Sequence, residues 1–321
     1  GRCTITNPST GVRFASLSIN VCCGGMQRVN ADLREALKQN QIAVEWLAAG
    51  RRHGEAMANP QVPSELPHGH WVGREAETDQ QAGRALHDFI VEHGYDGVFV
   101  NVLGGSVEAN LMRYLPGSIF RVMIVHNITR GTYRYARAIR DYVHLTVGVS
   151  PRIRDDLVQR FGFPAEDTIA IFNAIQIGRF DSIRPPASRP FGPLRLVSLG
   201  RLEERSKQLS LLPKILRRLR DCPVTLTVAG DGPDRIALQR ALASFGDRVR
   251  FTGPACASEV PRLLAGHDVF IMPSRFEGFG LAMLEAMAAG VVPVVTRLSG
   301  VTDAIVAHGE SGLLFPPADA A

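Results

Sequence analysis

Cysteine is sparse and unpatterned in this chain. Cys3, Cys22, Cys23, Cys222 and Cys256 make an odd number with no CxxC pair. That excludes a disulfide framework and a zinc-type structural site, leaving reduced, packed thiols as the expectation. No apolar run reaches 18 residues, so no helical membrane span is expected. The opening GRCTITNPST has no charged segment leading into an apolar stretch; without a signal peptide, the expected location is cytoplasmic. Blocks of like charge are missing as well, because basic residues occur as short pairs such as Arg51-Arg52 and Arg217-Arg218 without interleaved aromatics. Nucleic acid is therefore not an expected partner. The dispersed net charge of +5 suits phosphorylated ligands or peripheral contact with the inner face of an anionic membrane. GxGxxG is absent, and His53, His68 and His70, in the aperiodic loop read over 50–78, fit no standard metal spacing. Neither a metal nor a resident cofactor is expected.

What the chain does have is alternation. Its 321 residues, 45% hydrophobic, suffice for two domains of roughly 150 residues each. Apolar runs at 14–20, 43–48, 97–102, 121–125 and 144–150 read as strands. Between them lie helical stretches: one with Met26, Val29, Leu33 and Leu37 on a single face, one over 79–93, and one over 151–161 with Pro151 in its first turn. RPPASRPFGPL then breaks all periodicity, which places a boundary between domains 1–183 and 184–321. The second half repeats the scheme, with strands at 195–199, 224–229, 249–251, 269–272, 291–295 and 312–315. Such alternation predicts an α/β fold of two parallel sheets with helices on both faces.

Sheets of this kind deliver their loops to one edge, where ligands bind. In FEGFGLAMLEAMAAG, Phe276 to Gly290, Gly278 and Gly280 allow a tight turn into a helix whose first N–H groups and dipole suit a phosphate. Glu277 precedes that turn and Glu285 lies one turn into the helix, where each would repel an anion, so both read as partners for hydroxyls or a developing cation. Two surface glutamates on a packed helix are the plain alternative. GRLEERSK offers Arg201 and Lys207 to an anion at that turn if the two loops adjoin, and is otherwise a solvated charged turn. VAGDGP brings Gly230 to the same edge. In the first half, His126, Asn127 and Arg130 lie in the loop after the strand that ends at Val125, where a histidine either acts on a ligand or anchors the loop. Gly24 and Gly25 permit close approach of a ligand, or tight helix-sheet packing.

Taken in order, CCGGMQRV, VGVSPRIRDDLVQRFG, GRLEERSK, VAGDGP and two glutamates separated by seven residues resemble the retaining, nucleotide-sugar-dependent glycosyltransferases of GT-B architecture. This is the large group 1 family that includes bacterial lipopolysaccharide and mannosyl transferases, and the resemblance runs from about Gly24 to Pro317. It implies two Rossmann-like domains facing a cleft, a nucleoside-diphosphate sugar as donor, a cell-envelope glycan or glycolipid as acceptor, and no metal. It implies that Arg201 and Lys207 hold the diphosphate with the backbone of Gly278, Phe279, Gly280 and Leu281, and that Glu285 binds the ribose. Glu277 and His126 then flank the transferred sugar, and Gly24, Gly25 and Arg130 border the acceptor side of the cleft. Where the family often has Asp after the histidine and Gly after the interdomain asparagine, this chain has Asn127 and Ala174. The family's long C-terminal helix, which crosses back to the first domain, is not among the 321 residues. The alternatives are a nucleotide-sugar epimerase or phosphorylase on a related scaffold, or a non-catalytic nucleotide-sugar binder. A phosphorylase calls for a cofactor-binding lysine that is not evident, and the intact set Arg201, Lys207, Glu277 and Glu285 weighs against a binder.

Overall fold

A computed structural model of the chain describes residues 11–17, 25–50, 66–102, 106–181, 183 and 192–317. It divides into two compact units, Gly1–Ala174 and Ile175–Ala321. In the first, strands β1 (Val12–Leu17), β2 (Ile42–Ala49), β3 (Gly69–Val72), β4 (Gly97–Val102), β5 (Phe120–Val125), β6 (Leu145–Gly148) and β7 (Thr168–Ala170) form one sheet. Their order is β3-β2-β1-β4-β5-β6-β7, and every pair is parallel. Parallel neighbours need crossovers. Helices α1 (Gly25–Lys38), α2 (Asp79–Glu92), α3 (Ser106–Leu111), α4 (Arg130–Ile139) and α5 (Pro151–Phe161) supply them. The helix ends follow local chemistry: Thr78 and Gln81 form a capping box at α2, while α5 starts with Pro151 and stops at left-handed Gly162. Leu17, Leu47, Val98 and Met123 of the sheet are buried with Leu86, Ile90, Ile153 and Leu157 of the helices.

Two local expectations fail in this unit. The stretch 50–78, read as a loop, contains β3, whose four residues GHWV are too few for alternation to show; Trp71 there meets Trp46 of β2 edge-on at 5.4 Å. Arg130, expected in a loop, is the first residue of α4, capped by the Thr129 hydroxyl, which accepts from Thr132 N–H at 3.2 Å. Gly131, a poor helix former, hides that start.

The second unit holds β8 (Leu194–Leu199), β9 (Val224–Ala229), β10 (Val249–Gly253), β11 (Val269–Met272), β12 (Val292–Thr296) and β13 (Leu313–Phe315). Again all pairs are parallel, in the order β10-β9-β8-β11-β12-β13. Its helices are α6 (Gly178–Asp181), α7 (Glu204–Lys207), α8 (Leu211–Arg218), α9 (Arg235–Leu242), α10 (Val260–Ala265) and α11 (Leu281–Ala288). Leu196, Leu226 and Ile271 pack on Leu212, Leu216 and Leu238 at one face. At the other face Val197, Phe270 and Val295 pack on Leu264, Met283 and Ala286. Phe180 and Ile175 join this second core, so the segment that carries them folds with the second unit, which begins at Ile175, and not with the first, as a 1–183 domain required. The prolines mark where periodicity stops, whereas the change of core comes earlier. In both sheets strand order reverses at one point, between β1 and β4 and between β8 and β11, which opens a crevice at the carboxyl edge.

Candidate active site

The crevice of the second unit lies between the ends of β8 and β11. Gly200, Arg201, Lys207, Pro273 and Ser274 line a small cleft there. The two loops that leave these strands do adjoin: Arg275 N–H donates to Ser206 O at 2.8 Å. Behind them Gly230, with φ +139, stands so close to the Gly200 carbonyl that a Cβ would overlap it, so only glycine fits. Lys207 ends the short α7 and its Nζ donates to Glu277 Oε1. The same oxygen accepts from the Ser274 hydroxyl at 2.6 Å, and Ser274 is completely buried. With one oxygen tied to both groups and the side chain only 11% exposed, Glu277 is held in one orientation. Arg201 is exposed at the mouth of the same cleft.

Glu277 leads into Gly278, Phe279 and Gly280. Phe279 is buried, so any role it has toward a ligand belongs to its backbone. Gly280 takes φ +91 as the N-cap of α11, a left-handed conformation that disfavours any other residue. The N–H groups of Leu281 and Ala282 have no intrahelical acceptor, and no acidic residue occupies the first turn. They join the positive end of the helix dipole, and Glu277, three residues before Gly280, is the residue that Lys207 contacts. Glu285 is buried one turn further along α11.

In the first unit the corresponding edge carries His126, just past β5. A directed chain of hydrogen bonds fixes its tautomer. Ser16 hydroxyl donates to Asn30 Oδ1 at 3.4 Å, and Asn101 Nδ2 donates to Ser16 Oγ at 3.2 Å and to Leu17 O at 3.4 Å. The amide oxygen of Asn101 therefore faces His126 Nε2 at 2.8 Å, which must carry the proton, leaving the lone pair on Nδ1. Burial holds the imidazole pKa down at about 4, so the ring is neutral at pH 7. Gly25 opens α1 and is exposed; Gly24 lies outside the described residues. Arg130 is exposed at the start of α4. Among the described residues, no group of three His, Cys, Asp or Glu is placed to hold a metal ion, and His68 and His70 lie apart in a short 3-10 turn and in β3.

Comparison with known proteins finds glycosyltransferase likeness in both halves of the chain. Residues 193–321 match the model described as glycosyl transferases group 1, and residues 23–179 match glycosyltransferase family 4. Both models are of glycosyltransferases, and each covers just under half of the chain or less, so each unit is similar to a glycosyltransferase domain. The chain is 27% identical over 250 residues to a glycogen synthase of Mycobacterium tuberculosis, covering 73% of itself and 56% of that enzyme. It is 34% identical over 199 residues to the GDP-mannose-dependent alpha-(1-6)-phosphatidylinositol monomannoside mannosyltransferase of the same organism, covering 56% of itself and 50% of the relative. The chain thus spans about half the length of these curated relatives. A glycosyltransferase structure from Rickettsia africae superposes with a TM-score of 0.74 at 14% identity, over 96% of this chain and 85% of that one. Anabaena HepE in complex with UDP and glucose gives 0.72 at 19%, over 96% and 86%. These two show the fold. Sequence reasoning missed Ser274 and Asn101, the positioning partners of Glu277 and His126. The only signal either leaves is one polar letter inside or just after an apolar strand.

Proposed function

We propose that the chain transfers a sugar from a nucleoside-diphosphate sugar to a cell-envelope glycan or glycolipid, with retention of configuration at the sugar carbon. The observation that carries this is the contact of Lys207 with Glu277 at the sheet switch point, beside the free N–H groups that open α11. One cation and one carboxylate there meet opposite needs. As the bond between the sugar carbon and the diphosphate oxygen breaks, negative charge grows on the leaving group and positive charge on the sugar. Arg201, Lys207 and the α11 amides are preorganised for the first. The Glu277 carboxylate serves the second and accepts from sugar hydroxyls, and Glu285 takes the ribose hydroxyls. Attack by the acceptor hydroxyl on the same face forms the new glycosidic bond, and its proton passes to the departing phosphate oxygen, so the leaving group is its own base. A double displacement needs a free carboxylate nucleophile, and Glu277 is restrained by Lys207 and Ser274. Neutral His126 offers Nδ1 as an acceptor for a sugar hydroxyl. The names of the relatives support the substrate classes: HepE is recorded with UDP and glucose, and the mannosyltransferase is named for GDP-mannose and a phosphatidylinositol mannoside.

Two variants test the reading. Glu277→Ala should lower donor turnover by about 100-fold or more, the scale of losing one preorganised electrostatic group. It should also leave nucleoside-diphosphate affinity intact or raised, because Lys207 is released to the phosphate. Lys207→Ala should weaken that affinity by about tenfold or more, as expected for one charge-assisted contact. Calorimetric titration with UDP and GDP beside turnover of their glucose and mannose derivatives measures both effects; normal turnover by Glu277→Ala would sink the assignment.

A further inference from the structure

We infer that His144 is a proton-sensitive clamp that sets the register of β6 against β5 and releases it in acid. The residue stands just before β6, opposite the second residue of β5. Arg121 N–H donates to His144 Nδ1 at 3.0 Å, and His144 N–H returns a bond to Arg121 O at 2.8 Å. A backbone N–H can only donate, so Nδ1 carries the lone pair and Nε2 the proton. Phe120 stacks on the imidazole, with centroids 5.0 Å apart and planes 22° apart, and holds the ring in place. The ladder between the two strands starts at the next position, Val122 with Leu145, and runs to Val125 with Gly148. A slip of one residue there would turn buried Val147 to the opposite face.

Two other strand pairs begin in the same way, with a carboxylate as the acceptor. Arg13 N–H donates to Asp96 at 2.8 Å, and Arg195 N–H donates to Asp268 at 2.9 Å. Aspartate remains an acceptor at mildly acidic pH, whereas imidazole does not. Protonation of Nδ1 removes the acceptor and sets two N–H donors against each other. Nothing around the ring offsets that. The charges acting on it are positive, Arg121 foremost; the Arg121 guanidinium itself donates to Met112 O at 3.1 Å and Leu115 O at 3.0 Å. Asp141, in the preceding turn, is held by Arg140 at 2.7 Å. Asp167, just before β7, meets β6 through its carbonyl, which accepts from Thr146 N–H at 2.8 Å. Among the described residues, no carboxylate bonds to the ring. Burial first, and the Arg121 cation second, hold its proton affinity below the ordinary imidazole value. The neutral ring therefore stabilises the fold fully above about pH 6.5, and that contribution is lost as pH falls through the lower folded-state value. β6 carries β7 on its outer side, so the outer edge of this sheet is what loosens, by local opening. β5 keeps its other side paired with β4, which leaves Asn101 opposite His126.

Residue-resolved amide hydrogen exchange of the full chain tests all three clamps at once. Between pH 7 and about pH 4.5 aspartates stay largely ionised. Over that range the protection of the Arg121 amide, corrected for the intrinsic pH dependence of exchange, should fall about tenfold or more, the scale of one hydrogen bond that loses its acceptor. The Arg13 and Arg195 amides should keep their protection. His144→Asn supplies an amide oxygen that accepts at any pH, and His144→Asp supplies the residue used at the other two clamps. In both variants the Arg121 amide should stay equally protected across the range. The inference fails if the parent's Arg121 amide keeps its protection at about pH 4.5, or if the two variants lose as much as the parent does. It also fails if the Arg13 and Arg195 amides lose protection in step with Arg121, which would mean that the sheets yield as wholes.

Discussion

His126 sits half-buried behind a carboxyl-edge loop, hydrogen-bonded to an amide oxygen that cannot neutralise an imidazolium. Burial depresses its proton affinity to about 4 in the folded chain, against about 6.5 in an unfolded one. Between those values the unfolded state binds the extra proton, so the stability tied to neutral His126 is complete above pH 6.5 and is lost as pH falls toward 4. Urea denaturation at pH 7 and pH 5 should show the parent chain losing stability over this window, and His126→Gln losing less. An equal loss in both would show that His126 does not titrate in this way. His126 and Glu277 were legible in the sequence because each follows a strand in a loop. Their positioning partners were not, since Asn101 is separated from His126 by 25 positions and only the pairing of β4 with β5 brings them together. Ser274 stands three positions from Glu277, yet its burial depends on the cores of β8 and β11. The contact of Lys207 with Glu277 was likewise hidden, because the sequence assigns cation and carboxylate to different parts of a ligand and says nothing of their pairing without one.

At the scale of elements, the two sheets share a device at the edge opposite the crevice. Arg13, second in β1, donates its backbone N–H to Asp96 just before β4 at 2.8 Å, and Asp96 N–H returns a bond to Arg13 O at 2.9 Å. Arg195, second in β8, does the same with Asp268 just before β11, at 2.9 and 2.8 Å. These reciprocal bonds set the register of the central strand pair, and that register fixes which loops meet at the crevice. Asp96→Ala and Asp268→Ala each leave a strand N–H without its acceptor, and each should cost about 1–3 kcal/mol. The loss should appear as a lower urea midpoint for the unit concerned with an unchanged slope; a midpoint within error of the parent would show the bonds to be incidental. The long strands and α5 were readable from apolar runs, turn residues and Pro151. The short β3 and the glycine-bearing start of α4 were not, because tertiary pairing and a threonine cap, more than local propensity, stabilise them. The proline-rich stretch misplaced the boundary for a related reason: loss of pattern is local, while membership of a core depends on where Phe180 packs.

Across the whole molecule, each unit closes its own parallel sheet around its own apolar core, and neither sheet borrows a strand from the other. Two cores of this kind need not melt as one. If the diphosphate site is built wholly from Arg201, Lys207 and the start of α11, a nucleoside diphosphate binds only the second unit and stabilises that unit by mass action. At a ligand concentration one hundred times Kd the gain is about 2.7 kcal/mol, which for a unit of this size raises its midpoint by roughly 5–10 °C. Scanning calorimetry with and without UDP or GDP, with each transition assigned through the Asp96→Ala and Asp268→Ala variants, should show the Asp268-sensitive transition moving and the Asp96-sensitive one staying. Movement of both by the same amount would mean that the nucleotide draws on both units, and the diphosphate site would have to be redrawn to include residues of the first. Movement of the Asp96-sensitive transition alone would overturn the placement of the donor in the second unit, and with it the roles given to Lys207 and Glu277.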